Sequence, residues 1–486
     1  MKNTAIALTT AIWLLAGCSG DSGNEAATNM PAASTVTINQ VAASMGLDGV
    51  NAITVEGSAW RIRNSFRQTL TASPPWPEHD EITNWVETID FTAPAMFARG
   101  DTFASNLFLE PPVAGTHMIN VPADVTTWSR QLEIWLTPWG FVKGAQANGA
   151  TAESVTMDGM GYTKFSWMSP ASQTSPSGMR YTVNGYVNAD NLVVRTETWV
   201  EDAFMGDMHV VEVFDDYHTY GGLMVPGNLE QQRGGGGVFG FTVTSATANP
   251  ADLATLMTAP AANGPGGPPP GGATPPADLT EQIGTGAWLV NGGYVAMVVE
   301  FADHLAVFEA GQSEARGEQI LQQIRDHISD KEIRYIINSH PHSDHTGGLV
   351  PFIREGATLV THENNVEFLR MALSTSRDLL GEATLAPQVM GISGTGVLED
   401  GTNRLELHSV PNLHTDGMLV AVLPAQGVMF EADFTLPQPG VEANPFVKTL
   451  ARYVRDNNVQ FDRYLAVHAA AVAQNRDDLL ATIAGE

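Results

Sequence analysis

Residues 340–348 read His340-Pro341-His342-Ser343-Asp344-His345-Thr346-Gly347-Gly348 and directly follow a short apolar run. Imidazole and carboxylate groups together suit zinc and other first-row divalent metal ions. The proline and the small residues favour an irregular loop in which alternate side chains can converge, and the two glycines allow close backbone packing beyond it. The chain has only 13 histidines, so this clustering is not expected of an ordinary solvated loop. The stretch therefore predicts a metal site at the end of a strand.

This pattern, a strand followed by H-x-H-x-D-H-x-G-G, resembles the first motif of the metallo-β-lactamase superfamily, whose members are αββα hydrolases. The resemblance implies three further ligands downstream, and the chain offers one candidate for each in the family's order. His414 follows a strand-like run, and Asp433 and His468 each end one. The likeness covers essentially the whole C-terminal half, for which it implies an α/β fold of the αββα sandwich type.

The resemblance also implies how the ligands divide between two metal ions. Two ions about 3.5–4 Å apart can share a bridging hydroxide, lower its pKa and use it as the nucleophile. We expect zinc in both positions, with iron or manganese as alternatives. Asp344 is the predicted catalytic residue, because it can also orient the hydroxide. The implied ligands are His340, His342 and His414 for one ion, Asp344, His345 and His468 for the other, and Asp433 as a bridge.

Two departures from the family pattern bear on the activity. Glu309 stands where members often have an aspartate that supports the ligands, so the ligand geometry can differ while metal binding is kept. Asp433 stands where true β-lactamases commonly carry cysteine or serine. We therefore expect a metal-dependent hydrolase of an ester-like bond, a lactone or carboxylic ester first and a sulfate or phosphate ester second. A β-lactamase is kept as an alternative.

The other histidines and acidic residues near the motifs are weaker candidates. His362 follows a strand-like run and could line the site, whereas His408 lies inside a run and is predicted to be a sheet residue. Asp416 and Glu431 flank ligands, where supporting roles are plausible. The remaining histidines have no ligand-like spacing, and we expect ordinary surface or core positions for them.

The first 34 residues resemble the start of a bacterial lipoprotein. A single lysine precedes an apolar run of signal-peptide length, which ends in Leu15-Ala16-Gly17-Cys18 and resembles a lipobox. We therefore expect a signal peptide over 1–17, and a lipid-anchored Cys18 followed by a flexible tether over 18–34. Ser19 favours outer-membrane sorting. The expected location is extracytoplasmic, on the outer membrane facing the periplasm.

The rest of the chain divides at a Pro/Gly-rich stretch, residues 259–277, which is predicted to be a linker. Residues 35–258 are predicted to form a mainly antiparallel β domain, since short β-branched and aromatic runs alternate with turn residues. They faintly resemble the half-barrel of lipoprotein-carrier domains. Eight of the ten tryptophans lie there, as core or, alternatively, as an aromatic groove for an apolar or sugar-like ligand. Residues 278–486 alternate strands and helices and form the predicted hydrolase domain.

The formal net charge of −29 disfavours polyanionic partners. We expect a small-molecule substrate, no nucleic acid, and membrane contact only through the anchor at Cys18; the oligomeric state is left open. One alternative class is a lipid- or lipoprotein-binding protein whose C-terminal domain is a structural metal module. A complete ligand set argues against it, because a structural metal needs only one closed site.

Overall fold

The computed structural model describes residues 36–63, 65–76, 79–104, 113–260, 278–437, 441–468 and 474–486. The predicted signal peptide and tether lie outside the described residues, as does the predicted linker apart from residues 259 and 260. Within the described part of the chain, no helix is long and apolar enough to cross a membrane.

The N-terminal region forms one large sheet, as predicted. Its strands are β1 (Ala52–Ile62), β2 (His79–Asp90), β3 (Ala95–Ala104), β4 (Val113–Val121), β5 (Thr151–Met157), β6 (Met160–Met168), β7 (Thr182–Val187), β8 (Val193–Asp202), β9 (Gly206–Tyr220), β10 (Leu223–Arg233) and β11 (Gly236–Ala248). The strand order is β4-β3-β2-β1-β11-β10-β9-β8-β7-β6-β5. Every neighbouring pair is antiparallel. The sheet is a meander, apart from the pairing of the first strand with the last.

Helices cover part of this sheet. They are α1 (Ile38–Ser44), α2 (Trp128–Trp135) and α3 (Pro138–Asn148), and the short α4 (Leu253–Leu256), which buries no residue, follows β11. Helix α3 begins where the Thr137 side chain accepts a hydrogen bond from the Gly140 N–H, and it ends at the left-handed Gly149. Five of the eight tryptophans of this region are buried and the other three are half-buried. The tryptophans therefore build the core, as the first interpretation predicts.

The C-terminal region forms two further sheets. The first contains β12 (Thr280–Gly284), β13 (Ala287–Val290), β14 (Ala296–Glu300), β15 (His304–Phe308), β16 (Glu332–Ile337), β17 (Thr358–His362) and β18 (Val389–Ile392), in that order. The second contains β19 (Thr395–Glu399), β20 (Arg404–Ser409), β21 (Leu419–Leu423), β22 (Val428–Glu431) and β23 (Arg463–Ala466), also in that order. Strands β15–β18 are parallel, and β22 and β23 are parallel.

The helices of this region are α5 (Glu314–His327), α6 (Ser343–Thr346), α7 (Leu349–Arg354), α8 (Val366–Leu373), α9 (Pro445–Asp456) and α10 (Arg476–Ala481). Successive residues of a strand point to opposite faces. Accordingly, Val307 of β15 packs in the core that contains α5, while Phe308 packs between the sheets, 5.6 Å from the Phe430 ring. The predicted αββα sandwich is confirmed.

The N-terminal sheet and the helical face of the sandwich share one apolar core. The Phe204 and Phe368 rings lie 6.4 Å apart across this contact. The buried guanidinium of Arg377 donates to the Ala203 carbonyl, and the Leu379 N–H donates to Asp207. The two regions are therefore in close contact, which allows one to contribute to a site in the other.

Candidate metal centre

The structure brings all seven predicted ligands together at one edge of the sandwich. Three strands of the two sheets, β16, β22 and β23, end there, and the loop that follows β20 adds the remaining ligand. The ligand atoms form two groups, each within 4.8 Å across, namely His340, His342, His414 and Asp433, and then Asp344, His345 and His468. The division between the groups is the one that the family resemblance implies.

In the first group the donor atoms are spaced as ligands of one ion. The His414 Nε2 atom lies 3.3 Å from the His340 Nε2 atom and 2.8 Å from Asp433 Oδ2. The His340 Nε2 atom lies 3.5 Å from the same oxygen. Tetrahedral zinc with Zn–N distances of 2.0–2.1 Å separates its ligand atoms by roughly 3.3 Å. The spacing therefore fits a first-row divalent ion.

The second group has similar spacing, and Asp433 reaches it with its other oxygen. The His345 Nε2 atom lies 3.3 Å from the His468 Nε2 atom and 3.4 Å from Asp344 Oδ2. Asp433 Oδ1 lies 3.1 Å from the first of these nitrogens and 2.8 Å from the second. One carboxylate thus offers one oxygen to each group, which is the arrangement of a bridging ligand.

The ring of His342 is oriented by the N-terminal region. Its Nε2 atom lies 3.1 Å from the main-chain carbonyl of Thr69, so this nitrogen carries the proton and donates. Its Nδ1 atom is buried and has no hydrogen-bond partner among the described residues. A buried unpaired acceptor is costly, and a metal ion at Nδ1 would satisfy it. The residues present therefore fit a metal ion.

Glu309 supports the second group. Its carboxylate accepts from His345 Nδ1 at 2.8 Å and from the Ser339 N–H at 2.9 Å, and the side chain is completely buried. The interaction fixes the His345 ring with Nε2 directed at the site. The glutamate itself has a left-handed backbone with φ of 75°, a strained conformation for a residue other than glycine. Glu309, whose side chain is longer than that of an aspartate, thus has the supporting role expected at this position.

The two glycines after the motif permit the predicted close packing. A Cβ atom at Gly347 would lie 2.2 Å from the Gln312 carbonyl oxygen, and one at Gly348 would lie 2.0 Å from the Ala310 carbonyl oxygen. Neither distance is sterically possible without a backbone shift.

The electrostatics of the centre also suit a cation. Burial, followed by the neighbouring His345, lowers the pKa of His340, so its imidazole is neutral and can act as a ligand. Burial lowers the pKa of His342 to about 3. Burial alone would raise the pKa of the Asp433 carboxyl. The neighbouring histidines outweigh this effect and hold that pKa well below its usual range. Neutral imidazoles and ionised carboxylates are the protonation states in which these groups bind metals.

Tyr294 is a site residue that sequence reasoning missed. Its hydroxyl donates to Asp344 Oδ2 at 3.1 Å, and its ring lies edge-on to the His468 ring at 4.8 Å. Burial, followed by Asp344, raises the pKa of Tyr294 to about 12, so the hydroxyl keeps its proton near neutral pH. It precedes β14, and nothing in the sequence around it indicates a functional residue.

A segment of the N-terminal region also contributes, and sequence reasoning missed it too. We call residues 65–72, between β1 and β2, the β1–β2 segment. From this segment, Gln68 Nε2 donates to Asp344 Oδ1 at 2.8 Å and to Ser343 Oγ at 2.9 Å. The Arg67 carbonyl accepts from the Ser343 N–H at 2.9 Å. The segment therefore packs directly on the motif that carries the metal ligands.

The weaker candidates lie outside both ligand groups. His362 bonds to Ser409 Oγ at 2.7 Å. His408 lies within β20, as predicted, and contacts the Tyr453 hydroxyl. Glu431 is completely buried and accepts from the Phe434 N–H, so it shapes the loop that leads away from Asp433.

Comparisons with known proteins place part of the chain in a described family model. Residues 290–450 match the family model of the metallo-beta-lactamase superfamily. A comparison with curated proteins gave no match.

Solved structures of metallo-beta-lactamases are similar to part of the chain. The enzyme from Pontibacter korlensis is 15% identical over 43% of this chain and 99% of its own, with a TM-score of 0.34. FIM-1 from Pseudomonas aeruginosa, in its mono-zinc form, is 17% identical over 43% of this chain and 95% of its own, with a TM-score of 0.32. The enzyme from Hirschia baltica is 14% identical over 42% of this chain and 94% of its own, also with a TM-score of 0.32.

Proposed function

We propose that the C-terminal domain, which has the metallo-β-lactamase superfamily fold, is a hydrolase that uses two divalent metal ions, zinc first, to cleave an ester-like bond. The observation that carries the proposal is the position of Asp433. Its two carboxylate oxygens face two separate groups of ligands. A structural metal site would need only one such group.

Two divalent ions, when bound by these residues, would supply an activated water with a pKa of about 7 and would polarise the oxygen of the bond to be cleaved. The chain's own residues supply orientation. Asp344 accepts from Gln68 at one oxygen and from Tyr294 at the other, so its carboxylate plane is fixed beside the second group. In that position it can orient a water molecule by hydrogen bonding.

Tyr294 is the second group we assign to the reaction. Because its hydroxyl is protonated at neutral pH and lies at the rim of the second ligand group, it can turn from Asp344 and donate to an oxygen that becomes negative during hydrolysis. Its ring contact with the His468 imidazole holds the phenol ring in place. Metal ligation and hydrogen-bond donation are thus assigned to different side chains.

The ester-like substrate is inferred from the ligand set. An aspartate at position 433, where β-lactamases commonly carry cysteine or serine, supports a lactone or carboxylic ester ahead of a β-lactam. Sulfate and phosphate esters are the second choice, since the same pair of ions would polarise their oxygens.

The test combines metal analysis with a substrate panel. Purified protein should contain two metal ions per chain and should hydrolyse lactones or carboxylic esters faster than aryl sulfates, phosphodiesters, thioesters or a β-lactam. Asp433→Ala should lose metal and activity together, and Asp344→Ala should lose activity. Asp326→Ala, an exposed aspartate on α5, is the matched control. One metal per chain in the wild type, or full activity of both site variants, would contradict the proposal.

A further inference from the structure

The N-terminal sheet encloses a second cavity that is separate from the metal centre. Its volume is about 340 Å³, and its walls come from β1–β4, β9–β11 and the end of α2. Ligand pockets in proteins start at about 300 Å³. None of the metal ligands lines it.

The cavity is lined by apolar side chains and by acidic ones. Met96, Ile119, Leu229 and Phe239 form part of the apolar wall. The acidic part consists of three glutamates from three different elements, Glu87 of β2, Glu133 of α2 and Glu212 of β9. An apolar wall with a few convergent polar groups is the usual composition of a small-molecule site.

When all three glutamates are ionised, the cavity lining carries one more negative than positive charge. Two guanidinium groups line the cavity, Arg61 and Arg233, against the three glutamates. Arg233 lies 2.7 Å from Glu133 and pairs with it. Arg61 instead pairs with Asp80, which Arg63 also contacts. His117 adds no charge near neutral pH, because burial and Arg61 lower its pKa to about 4. One positive charge would balance the cavity.

The hydrogen bonds of Glu212 indicate where a positively charged group of a ligand would lie. Its side chain is 3% exposed, and Oε1 accepts from Gln231 Nε2 at 3.0 Å. Its Oε2 atom is buried and has no hydrogen-bond partner among the described residues. The same Gln231 amide also donates to Glu133 at 3.1 Å, so its two protons are used. A donor from a ligand in the cavity would satisfy the remaining oxygen.

Glu87 supports the same interpretation. It is 5% exposed, and burial together with Glu133 raises its pKa to about 8. Burial also raises the pKa of Glu212 well above its usual range. Buried acids with such strongly raised pKa values are often found at functional sites. A bound cation would stabilise the charged forms of both carboxylates.

We propose that this cavity binds a small organic monocation, with its ammonium group on Glu212 beside Glu87 and its apolar body against the wall of Met96, Ile119 and Phe239. An organic cation uses the whole cavity, whereas a bare metal ion would leave the apolar wall unused. In addition, the described residues offer no cluster of three metal-binding groups other than those at the metal centre. The site would give the N-terminal domain a recognition function of its own.

Three probes of the same shape and different charge test the proposal. Titration calorimetry on the purified full-length protein would compare benzylamine, benzyl alcohol and benzoate. We expect benzylamine to bind at least about tenfold more tightly than the other two, because a charge-assisted hydrogen bond to a buried carboxylate is worth that much. Chelation of the metals should leave this binding unchanged, which separates the result from the hydrolase proposal.

Glu212→Gln keeps the shape of the side chain and removes its charge, and it should weaken benzylamine binding by at least about tenfold. Glu87→Gln is the second variant and should weaken it in the same direction. Glu81→Gln, at an exposed position on β2, should bind as the wild type does. The proposal would be overturned if benzylamine bound no more tightly than benzyl alcohol or benzoate. It would also be overturned if benzylamine showed no saturable binding, or if its affinity were unchanged in both cavity variants.

Discussion

Gln68 of the N-terminal domain donates a 2.8 Å hydrogen bond from its side-chain amide to Oδ1 of Asp344 in the metal centre of the other domain. The two residues are 276 positions apart in the chain. The N-terminal domain therefore contacts the group that we assign to orient the attacking water, and its removal should affect the reaction directly.

Gln68→Ala should lower kcat/KM about tenfold, because a hydrogen bond to a charged group is worth about 1.5–3 kcal/mol. The metal content should stay at the wild-type value, since Gln68 is not a ligand. Steady-state kinetics and metal analysis on the same preparation would check this. Gln146→Ala, on the outer surface of α3, is the control. Wild-type kinetics in Gln68→Ala would show that the contact has no role in the reaction.

Glu309→Gln should weaken metal binding about 10- to 100-fold, as expected when the hydrogen-bond partner of a ligating histidine is changed. The amide is a weaker acceptor for His345 Nδ1 and holds the ring less firmly. Competition with a chromophoric chelator measures the affinity. Glu318→Gln, an exposed acid on α5, should behave as the wild type does, and equal affinities in both variants would contradict the supporting role of Glu309.

Tyr294→Phe should lower kcat about tenfold with little change in KM, since the hydroxyl acts on charge that develops during the reaction. The phenylalanine ring preserves the packing on His468, so two metals should remain bound. Tyr335→Phe on β16 is a matched control that lies away from the ligand groups. A higher KM with an unchanged kcat would assign Tyr294 to substrate binding instead.

Glu87→Gln should make thermal stability less sensitive to a rise in pH from about 4.5 to about 8. The folded protein raises the pKa of Glu87 from its usual 4.5 to about 8, so between these values the folded state holds a proton that the unfolded chain releases. That contribution to stability is fully present below pH 4.5 and is lost as the pH rises through about 8. The Tm of the variant relative to the wild type should therefore increase from about pH 5 to about pH 9. The same comparison with Glu81→Gln should give a constant difference.

Cys18→Ser tests the expected lipid anchor. If Cys18 is acylated, the variant should lack the lipid and should no longer be cleaved before residue 18. Mass spectrometry of the N-terminal peptide would detect both changes. Identical processing in the variant and the wild type would contradict the anchor.

The sequence was enough to predict that the seven ligand residues come together, because they follow strand ends and stand in the order that the family resemblance implies. His340, His342 and His345 lie in one short stretch after β16, and Asp433 and His468 each follow a short apolar run. The fold class could also be predicted, because alternating strands and helices indicate an α/β sandwich.

The contacts that complete the site could not be predicted from the sequence. Gln68 and Tyr294 reach Asp344 only because two separate parts of the chain pack against the motif, and neither residue type is unusual where it stands. The glutamates of the N-terminal cavity come from two strands and a helix, so only the tertiary structure shows that they face one another. The antiparallel sheet was predictable from its turns, whereas its concave cavity was not.

The hydrogen bond that His342 makes to Thr69 uses a main-chain carbonyl. Every amino acid carries that group, so almost any residue at position 69 could orient the imidazole provided the backbone keeps its path. Position 69 of the β1–β2 segment can therefore diverge in sequence among related proteins while its contribution to the metal centre persists. A search for shared side chains would miss this dependence, and a deletion or a shift of the segment by one residue would reveal it.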